Sequence, residues 1–266
     1  MSPPTLRSAA HRLRGLLRRD RDVSEGSGAQ GRDPGDFLAS LTPEERELVA
    51  RALPITITSP ERLVAASDAV RHVVRRAVPG ALVECGVWKG GSVLAMILAL
   101  QHLGVSDRDI YLYDTFEGMT EPGEVDTSPY DEPALDIWRR AQAAGERPWP
   151  WFFNETFTLE QVQTVLWDTG YPRERLHFVV GRVEDTIPAQ APEQVALLRL
   201  DTDWYDSTRH ELVHLYPRVS TGGVLIVDDY GHWDGCRKAV DEFFAQDTEP
   251  LLLHRIDYTG RIAVKV

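Results

Sequence analysis

Two clusters of acidic residues follow two apolar runs of the chain, and together they could hold a divalent metal ion. Asp201 and Asp203 come after the first run, and Asp228 and Asp229 come directly after the second. The stretch between the clusters is long enough for a crossover helix joining two parallel strands. Neighbouring strands lie about 4.8 Å apart, so acids at the ends of both strands would converge. Carboxylates this close repel one another unless a cation neutralises them or some stay protonated.

Strands and helices alternate along most of the chain, which predicts an α/β fold with a mostly parallel, seven-stranded sheet. Five apolar runs indicate parallel strands. Two runs at the end of the chain flank a turn-rich segment and indicate an antiparallel hairpin at the sheet edge. The predicted strands are 81–85, 110–113, 176–180, 195–200, 224–227, 250–255 and 261–266. Thr42 and Ser59 each precede a proline and an early acid, which predicts two helices ahead of the sheet.

The composition is that of a globular protein that acts on small molecules. Its 266 residues, 42% of them hydrophobic, suffice for one large domain or a domain with an extension. The 41 Asp and Glu against 29 Lys and Arg give a net charge of −12, which argues against nucleic acid or an anionic membrane as a partner. The two cysteines exclude a disulfide framework. Because no secretory signal or membrane-spanning run is present, we expect a cytoplasmic protein.

Two segments stand apart from the strand–helix pattern. Residues 1–36 are predicted to be a basic tail and a flexible linker, and the domain is predicted over 37–266. The basic part carries leucines on one face that would suit a partner subunit, so a homo-oligomer, dimer or higher, remains open. From about 118 to 160, Pro, acids and aromatics without a strand pattern predict a lid-like insertion. The aromatic residues of this insertion would form either an apolar wall over a substrate or a buried cluster that stabilises the insertion. These residues are Trp138, Trp149, Trp151, Phe152 and Phe153.

A glycine-rich turn follows the first predicted strand. Glu84 lies near the end of the strand, and Gly86 and Gly90 let the backbone turn closely into a helix that begins near Ser92. The turn lacks the Gly-x-Gly-x-x-Gly pattern of dinucleotide-binding proteins. The turn resembles motif I of class I S-adenosylmethionine-dependent methyltransferases, whose cofactor carries no pyrophosphate that would need that pattern. An ordinary strand-to-helix turn is the alternative.

Polar residues after the second and third strands fit the same cofactor. Asp114 is well placed to accept both hydroxyls of an adenosine ribose. Arg182, Val183 and Glu184 follow the third strand, where the adenine would lie. Taken singly, each of these residues is about as well explained by a loop or a helix cap.

Four motifs, taken in order, resemble the macrocin O-methyltransferase family. They are LVECGVWKGGS from Leu82, YDTFEG from Tyr113, LRLDTDWYDST from Leu198 and LYPRVSTGGVLIVDDY from Leu215, and they lie within about 60–245. The resemblance implies a Rossmann-like class I methyltransferase fold. It also implies S-adenosylmethionine as the methyl donor, a magnesium ion, and a sugar hydroxyl of a macrolide-like natural product as the acceptor.

The resemblance assigns roles by position. It places the metal ligands at Asp201, Asp228 and Asp229, and the general base at Asp203. It places the cofactor contacts at Glu84, Gly86, Ser92 and Asp114, with adenine contacts at Arg182, Val183 and Glu184.

Several alternatives remain open from the sequence. A catechol or another phenol could be the acceptor, because adjacent oxygens can chelate one metal ion. A non-catalytic nucleotide-binding regulatory protein could retain the same sheet. His232, just past the second acidic cluster, could bind substrate or move a proton, or could be a surface residue. His210 and His214 have a spacing that can bind metal, although ordinary helix positions explain them better.

Overall fold

One seven-stranded sheet lies at the centre of the residues that the computed structural model describes, which are 34–149, 157–245 and 251–266. The strands are β1 Ala81–Cys85, β2 Ile110–Asp114, β3 Leu176–Val180, β4 Val195–Leu200, β5 Val219–Val227, β6 His254–Arg255 and β7 Arg261–Val264. Their order is β3-β2-β1-β4-β5-β7-β6. The first five strands are parallel, whereas β7 is antiparallel to both β5 and β6. The predicted mostly parallel sheet with a terminal hairpin is confirmed.

The register aligns the carboxyl ends of four parallel strands. Cys85 of β1 pairs with Tyr113 of β2 and with Leu200 of β4, and Leu200 pairs with Val227 of β5. The residue after each of these four positions is Gly86, Asp114, Asp201 or Asp228. The glycine turn and the acids therefore lie level with one another along one edge of the sheet.

Helices cover both faces of the sheet. They are α1 Pro34–Ser40, α2 Pro43–Ala52, α3 Pro60–Arg75, α4 Gly91–His102, α5 Ala134–Ala144, α6 Leu159–Trp167, α7 Val183–Thr186, α8 Tyr205–Leu215 and α9 Asp234–Phe244. Buried side chains of α2, α3, α4 and α6 form one apolar core against the sheet. Those of α5, α7, α8 and α9 form a second core on the opposite face. This three-layer arrangement buries both faces, as a parallel sheet requires.

The two predicted helix starts are confirmed. Thr42 accepts a hydrogen bond from the Glu45 amide, and the Glu45 side chain returns one to the Thr42 amide, so α2 begins with a capping box. Ser59 caps α3 by accepting from the amide of Arg62. This cap fixes the first turn of α3 beside the carboxyl edge of the sheet.

The predicted insertion contains helix α5, which the sequence analysis did not identify. Trp151, Phe152 and Phe153 lie outside the described residues. So does the predicted tail and linker, except for its last three positions, where α1 begins. Across the described parts of the chain, no helix combines the length and apolarity needed to cross a membrane.

Candidate active site

A cleft of about 830 Å³ opens along the carboxyl edge of the sheet. The glycine turn after β1 lines one half, and the acidic residues after β4 and β5 line the other. Every residue predicted for the site lines this cleft except Glu84. The sheet therefore brings the two groups of predicted residues to one site, although they come from the ends of five different strands.

Gly86 is required by the packing of the turn against β4. Its φ is +85°, and a Cβ added there would lie 1.9 Å from the carbonyl oxygen of Asp201. A side chain would thus face both an unfavourable backbone conformation and a direct clash. The glycine turn after β1 and the first acidic cluster are in contact through this glycine.

Asp114 binds the glycine turn in this structure. Its carboxylate accepts from the amides of Val87 at 2.7 Å, Trp88 at 2.8 Å and Phe116 at 2.7 Å. Burial raises the pKa of Asp114, while these three amides oppose the rise. A carboxylate has about four acceptor positions, so most of its capacity serves the protein backbone. The predicted contact with both ribose hydroxyls stays a prediction.

The remaining predicted cofactor residues lie in the same half of the cleft. Ser92 is buried in the first turn of α4. Arg182 precedes α7, and its Nε lies 3.4 Å from Oε2 of Glu184. Because the Gly181 amide donates to the carbonyl of Asp114 at 3.0 Å, the end of β3 lies beside the end of β2.

Asp201, Asp228 and Asp229 converge in the other half. Each offers a carboxylate oxygen, and these oxygens all lie within 4.8 Å of one another. Asp229 is 8% exposed, and its Oδ2 has no hydrogen-bond partner among the described residues. Burial and the charges of Asp203 and Asp201 raise its pKa well above the usual value. A buried carboxylate oxygen without a partner is costly unless a cation or a proton reaches it.

Two arginines bind these acids, the buried Arg199 and the partly exposed Arg62. Arg199 donates to Asp201 Oδ2 at 2.7 Å and to Asp228 Oδ1 at 2.5 Å, and Arg62 donates to Asp228 Oδ2. Burial alone would raise the pKa of Asp228, but Arg199 and Arg62 lower it below its usual value. Burial raises the pKa of Asp201 to about 6, although Arg199 opposes the shift.

Neither arginine was identified in the sequence analysis. Arg199 carried a usable signal, because it interrupts the apolar run of β4 and arginine is rarely buried without a charged partner. Arg62 occupies an ordinary position in the first turn of a helix, and no pattern distinguishes it from a surface residue.

Glu84 lies beneath the cleft and is 1% exposed. Its Oε1 accepts from Arg199 at 2.6 Å, and its Oε2 has no partner among the described residues. Burial raises its pKa to about 8, although Arg199 opposes the rise. In this structure Glu84 contacts the arginine that holds the acids, and its predicted cofactor contact stays a prediction.

Asp203 adopts a left-handed backbone conformation, with φ +66°, at the acidic end of the cleft. Its Oδ1 accepts from Trp233 Nε1 at 2.9 Å. Burial and the charge of Asp201 raise its pKa to about 8, although the bond from Trp233 opposes the rise. Trp204 packs against Trp233 with ring centroids 5.0 Å apart, which fixes the indole that holds Asp203.

The outer rim of the acidic half joins three segments around His232. Its Nε2 lies 3.2 Å from Asp131 of the insertion, and its Nδ1 lies 3.3 Å from the hydroxyl of Tyr258 in the β6–β7 turn. Tyr130 stacks on the imidazole at 5.6 Å. By contrast, His210 and His214 lie on α8, away from the residues that line the cleft.

The acidic group fits a hard divalent cation. Magnesium prefers oxygen ligands at about 2.1 Å, so its ligands lie at most about 4.2 Å apart. The three carboxylates need to close only slightly to meet this limit. The unpartnered oxygen of Asp229 supplies a ligand that no arginine already occupies.

A sheet of this order, with a glycine turn after β1 and a cleft along its carboxyl edge, belongs to a class I methyltransferase. The family model described as Macrocin-O-methyltransferase (TylF) matches residues 44–264. The chain therefore belongs to this family of O-methyltransferases that act on sugars and other groups of natural products. The fold, the family and the enzyme class predicted from the sequence are confirmed.

Three characterised relatives resemble most of the chain. Demethyldecarbamoylnovobiocin O-methyltransferase of Streptomyces niveus is 34% identical over 191 residues, 72% of this chain and 68% of the relative. The 8-demethyl-8-(2,3-dimethoxy-alpha-L-rhamnosyl)-tetracenomycin-C 4'-O-methyltransferase of Streptomyces olivaceus is 35% identical over 206 residues, 77% and 73% of the two chains. Mycinamicin III 3''-O-methyltransferase of Micromonospora griseorubida is 31% identical over 188 residues, 71% and 69%. All three are methyltransferases, which supports an enzyme over the regulatory alternative.

Solved structures show the same architecture. The O-methyltransferase NovP superposes with a TM-score of 0.67 at 33% identity, covering 79% of this chain and 82% of its own. The calicheamicin methyltransferase CalS11 superposes with a TM-score of 0.54 at 21% identity, covering 91% and 99%. At this identity, the likeness to CalS11 shows a common fold and no more.

Proposed function

We propose that this protein transfers a methyl group from S-adenosylmethionine to a sugar hydroxyl of a glycosylated natural product, assisted by a bound magnesium ion. One observation carries the proposal: a single cleft joins the glycine turn after β1 to three converging carboxylates after β4 and β5. A methyl donor in the first half and an acceptor hydroxyl in the second would lie within one enclosed space.

The half of the cleft around the glycine turn would hold the cofactor. The backbone from Gly86 to Trp88 and the side chain of Ser92 line the part next to α4. Arg182, Val183 and Glu184 line the part beyond β3 and would contact the adenine. The sulfonium is already an activated methyl donor, so the residues of this half act mainly by orienting it.

Asp201, Asp228 and Asp229 would hold the magnesium ion. Bound there, the ion supplies Lewis acidity, which lowers the pKa of a hydroxyl group. The arginines beside Asp201 and Asp228 occupy oxygens on the inner side of the group, and Asp229 keeps an oxygen that no described residue occupies.

Asp203 would accept the proton of the acceptor hydroxyl. As the hydroxyl oxygen bonds to the methyl carbon, the carbon–sulfur bond breaks and S-adenosylhomocysteine leaves, while the proton passes to the carboxylate. A carboxylate positioned at the acceptor end of the cleft can take up this proton as a general base. The bond from Trp233 fixes one carboxylate oxygen and leaves other acceptor positions for the substrate.

The relatives support a sugar as the acceptor. The Streptomyces olivaceus enzyme is named for the 4' position of a rhamnosyl-tetracenomycin, and the Micromonospora enzyme for the 3'' position of mycinamicin III. The polar rim formed by Asp131, His232 and Tyr258 offers hydrogen-bonding groups and an aromatic ring at the acceptor end. Aromatic and polar groups together suit the mixed surface of a sugar.

A direct assay tests the acceptor. The purified chain is incubated with labelled S-adenosylmethionine and Mg²⁺, and with the acceptors of the three relatives or with catechol. We expect methyl transfer to at least one glycoside and little to catechol, with activity lost on adding a chelator. Methylation of catechol alone would refute the sugar acceptor, and full activity in the chelator would refute the metal requirement.

The metal ligands are tested by Asp228→Asn. We expect this variant to lose Mg²⁺-stimulated turnover while binding S-adenosylhomocysteine in calorimetry, because the change removes a ligand charge outside the cofactor half. Asp136→Asn, an exposed residue of α5 outside the cleft, is the matched control. Unchanged turnover in Asp228→Asn would refute its role as a ligand.

A further inference from the structure

Arg199 is a fully buried charge in the middle of the sheet. It lies on β4, which pairs with β1 on one side and β5 on the other, and it is 1% exposed. Burial lowers the pKa of an arginine, but the charges of Asp201, Asp228 and Glu84 together raise it well above its usual value. The guanidinium is therefore a permanent cation beneath the acidic half of the cleft.

Its hydrogen bonds reach one residue of β1, the residues directly after β4 and β5, and one residue just before α3. Nη1 donates to Glu84 Oε1 at 2.6 Å and to Asp201 Oδ2 at 2.7 Å. Nη2 donates to Thr58 Oγ1 at 3.1 Å and to Asp228 Oδ1 at 2.5 Å. Each terminal nitrogen thus binds one candidate metal ligand that lines the cleft. Its other partner is Glu84, which lies beneath the cleft, or Thr58, which also lines it.

This arrangement fixes the orientation of two ligands. A guanidinium is planar and its donors point in set directions, so two carboxylates bound to it cannot rotate independently. Arg62 holds the other oxygen of Asp228. Asp229 receives no such bond at Oδ2 from the described residues.

Stability alone does not explain this buried ionic group. Burying several charges costs desolvation energy, and well-packed apolar residues often serve a core as well or better. This desolvation cost has an explanation if the buried ionic group orients the carboxylates that line the cleft. Glu84 then has a role as well, because its Oε1 accepts a hydrogen bond from Nη1 of Arg199 beneath the cleft.

We propose that Arg199, held by Glu84 and Thr58, is a positioning residue that orients the carboxylates of Asp201 and Asp228 for a divalent cation. This inference rests on the metal site of the proposed function. It assigns Glu84, the acid of the β1 motif, a role in the acidic half of the cleft. Groups that orient metal ligands typically change metal affinity by about 10- to 100-fold when they are replaced.

Calorimetric titration with Mg²⁺ tests the inference without any acceptor. We expect Arg199→Lys to weaken Mg²⁺ binding by at least about 10-fold, because lysine keeps the charge and loses the planar fork. Glu84→Gln and Thr58→Val keep Arg199 and should each weaken binding by a smaller factor. Binding of S-adenosylhomocysteine by Arg199→Lys and Thr58→Val should stay within about 3-fold of wild type, since a general folding defect would weaken both ligands. The fold of Glu84→Gln is checked by circular dichroism, because Glu84 is also a predicted cofactor contact. Arg175→Lys, which alters an exposed ion pair with Asp109, is the control.

The outcomes separate the two proposals. If the unaltered protein binds no Mg²⁺, the metal site of the proposed function fails and the positioning role fails with it. If the unaltered protein binds Mg²⁺ and the variants that remain folded by circular dichroism bind it equally well, only the positioning role is overturned. Should Arg199→Lys not fold, Glu84→Gln and Thr58→Val decide the question alone.

Discussion

Asp203 combines a left-handed backbone conformation with a fixed side-chain partner. A positive φ costs a non-glycine residue roughly 1–2 kcal/mol, and such residues persist where their surroundings hold them firmly. Here Trp233 binds the carboxylate and Trp204 packs behind Trp233. The conformation directs the carboxylate into the cleft, although the chain has already left the end of β4.

Asp203→Asn should slow chemistry while leaving the ligands in place. Asparagine keeps the size and the bond from Trp233 but cannot accept the proton, so we expect kcat to fall by about 10²- to 10⁴-fold. Mg²⁺ and S-adenosylhomocysteine affinities, measured by calorimetry, should change little. Asp206→Asn, an exposed neighbour in the first turn of α8, should behave as wild type. A normal kcat in Asp203→Asn would exclude its role as the base.

The acids of the site could be predicted from sequence, because each follows an apolar strand and the ends of parallel strands meet. The arginines could not be placed in the same way. Arg62 reaches Asp228 from a helix that is distant in the sequence, and this contact depends on the packing of α3 against the sheet. The partners of Asp114 were also unforeseen, since backbone amides of a turn leave no residue-type signal.

At the level of secondary-structure elements, the turn after β1 and the end of β4 form one packed unit. Gly86 lets the turn approach the carbonyl of Asp201, and the Asp201 amide donates to the carbonyl of Cys85 at 2.9 Å. A change in the glycine turn should therefore reach Asp201, the first proposed metal ligand, directly.

Gly86→Ala should disrupt this unit. The added Cβ would clash with the Asp201 carbonyl, so we expect a loss of several kcal/mol of stability and weaker Mg²⁺ binding. Gly104→Ala is the matched control, because Gly104 also has a positive φ of +70° but nothing lies within 4 Å of its added Cβ. That control should lose only about 1–2 kcal/mol. Urea denaturation of both variants checks this, and equal losses would contradict the clash.

His232 connects the insertion to the terminal hairpin across the rim of the cleft. We expect His232→Ala to speed amide hydrogen exchange in the segment around Tyr130 and Asp131, because it removes a ring that contacts both residues and Tyr258 and leaves only the edge contact of Tyr130 with Tyr258. The acceptor KM should rise while the affinity for S-adenosylhomocysteine stays unchanged. Arg140→Ala breaks an exposed pair with Glu132 in the same insertion and should alter neither. Exchange that is identical in both variants would show that His232 does not fasten the insertion.

Helices and strands that carry a capping residue or an apolar run in the sequence were predicted closely, and elements without such a local signal were not. The capped helices α2 and α3 and strands β1 to β4 agree with the sequence analysis. The hairpin strands predicted over 250–255 and 261–266 are shorter, at His254–Arg255 and Arg261–Val264. β5 begins at Val219, earlier than predicted, because Ser220, Thr221 and two glycines hide the strand pattern. Helix α5 was not predicted, because the aromatic and acidic residues of the insertion obscure the helical spacing of its buried residues.

The stability of the whole molecule should depend on pH through Glu211. This residue of α8 is fully buried; its Oε1 accepts from Thr202 at 2.9 Å, and Oε2 has no partner among the described residues. Burial raises its pKa well above the usual value. The folded protein therefore retains a proton that the unfolded chain releases near pH 4.3. As the pH rises above that value, the free energy of unfolding falls until the folded-state pKa is passed.

Glu211→Gln removes this titration while keeping the shape of the side chain. We expect its free energy of unfolding to decline less steeply between pH 6 and pH 8 than that of wild type, by up to about 1.4 kcal/mol per pH unit. Denaturant titrations at pH 6, 7 and 8 give the slopes. Glu174→Gln, at an exposed position, should retain the wild-type slope. Parallel curves for wild type and Glu211→Gln would show that the carboxyl ionises normally.

The aligned ends of β1, β2, β4 and β5 also distinguish the groups of the cleft that depend on strand register from those that do not. The acids and the glycine turn take their positions from strand register, whereas Tyr130 and Asp131 enter the rim from a long connection between β2 and β3. A change in the length or sequence of that connection need not shift the glycine turn or the acids by one register position. If the rim binds the acceptor, as proposed, acceptor preference depends on this connection, and grafting the connection of a relative onto this sheet should transfer the preference of that relative.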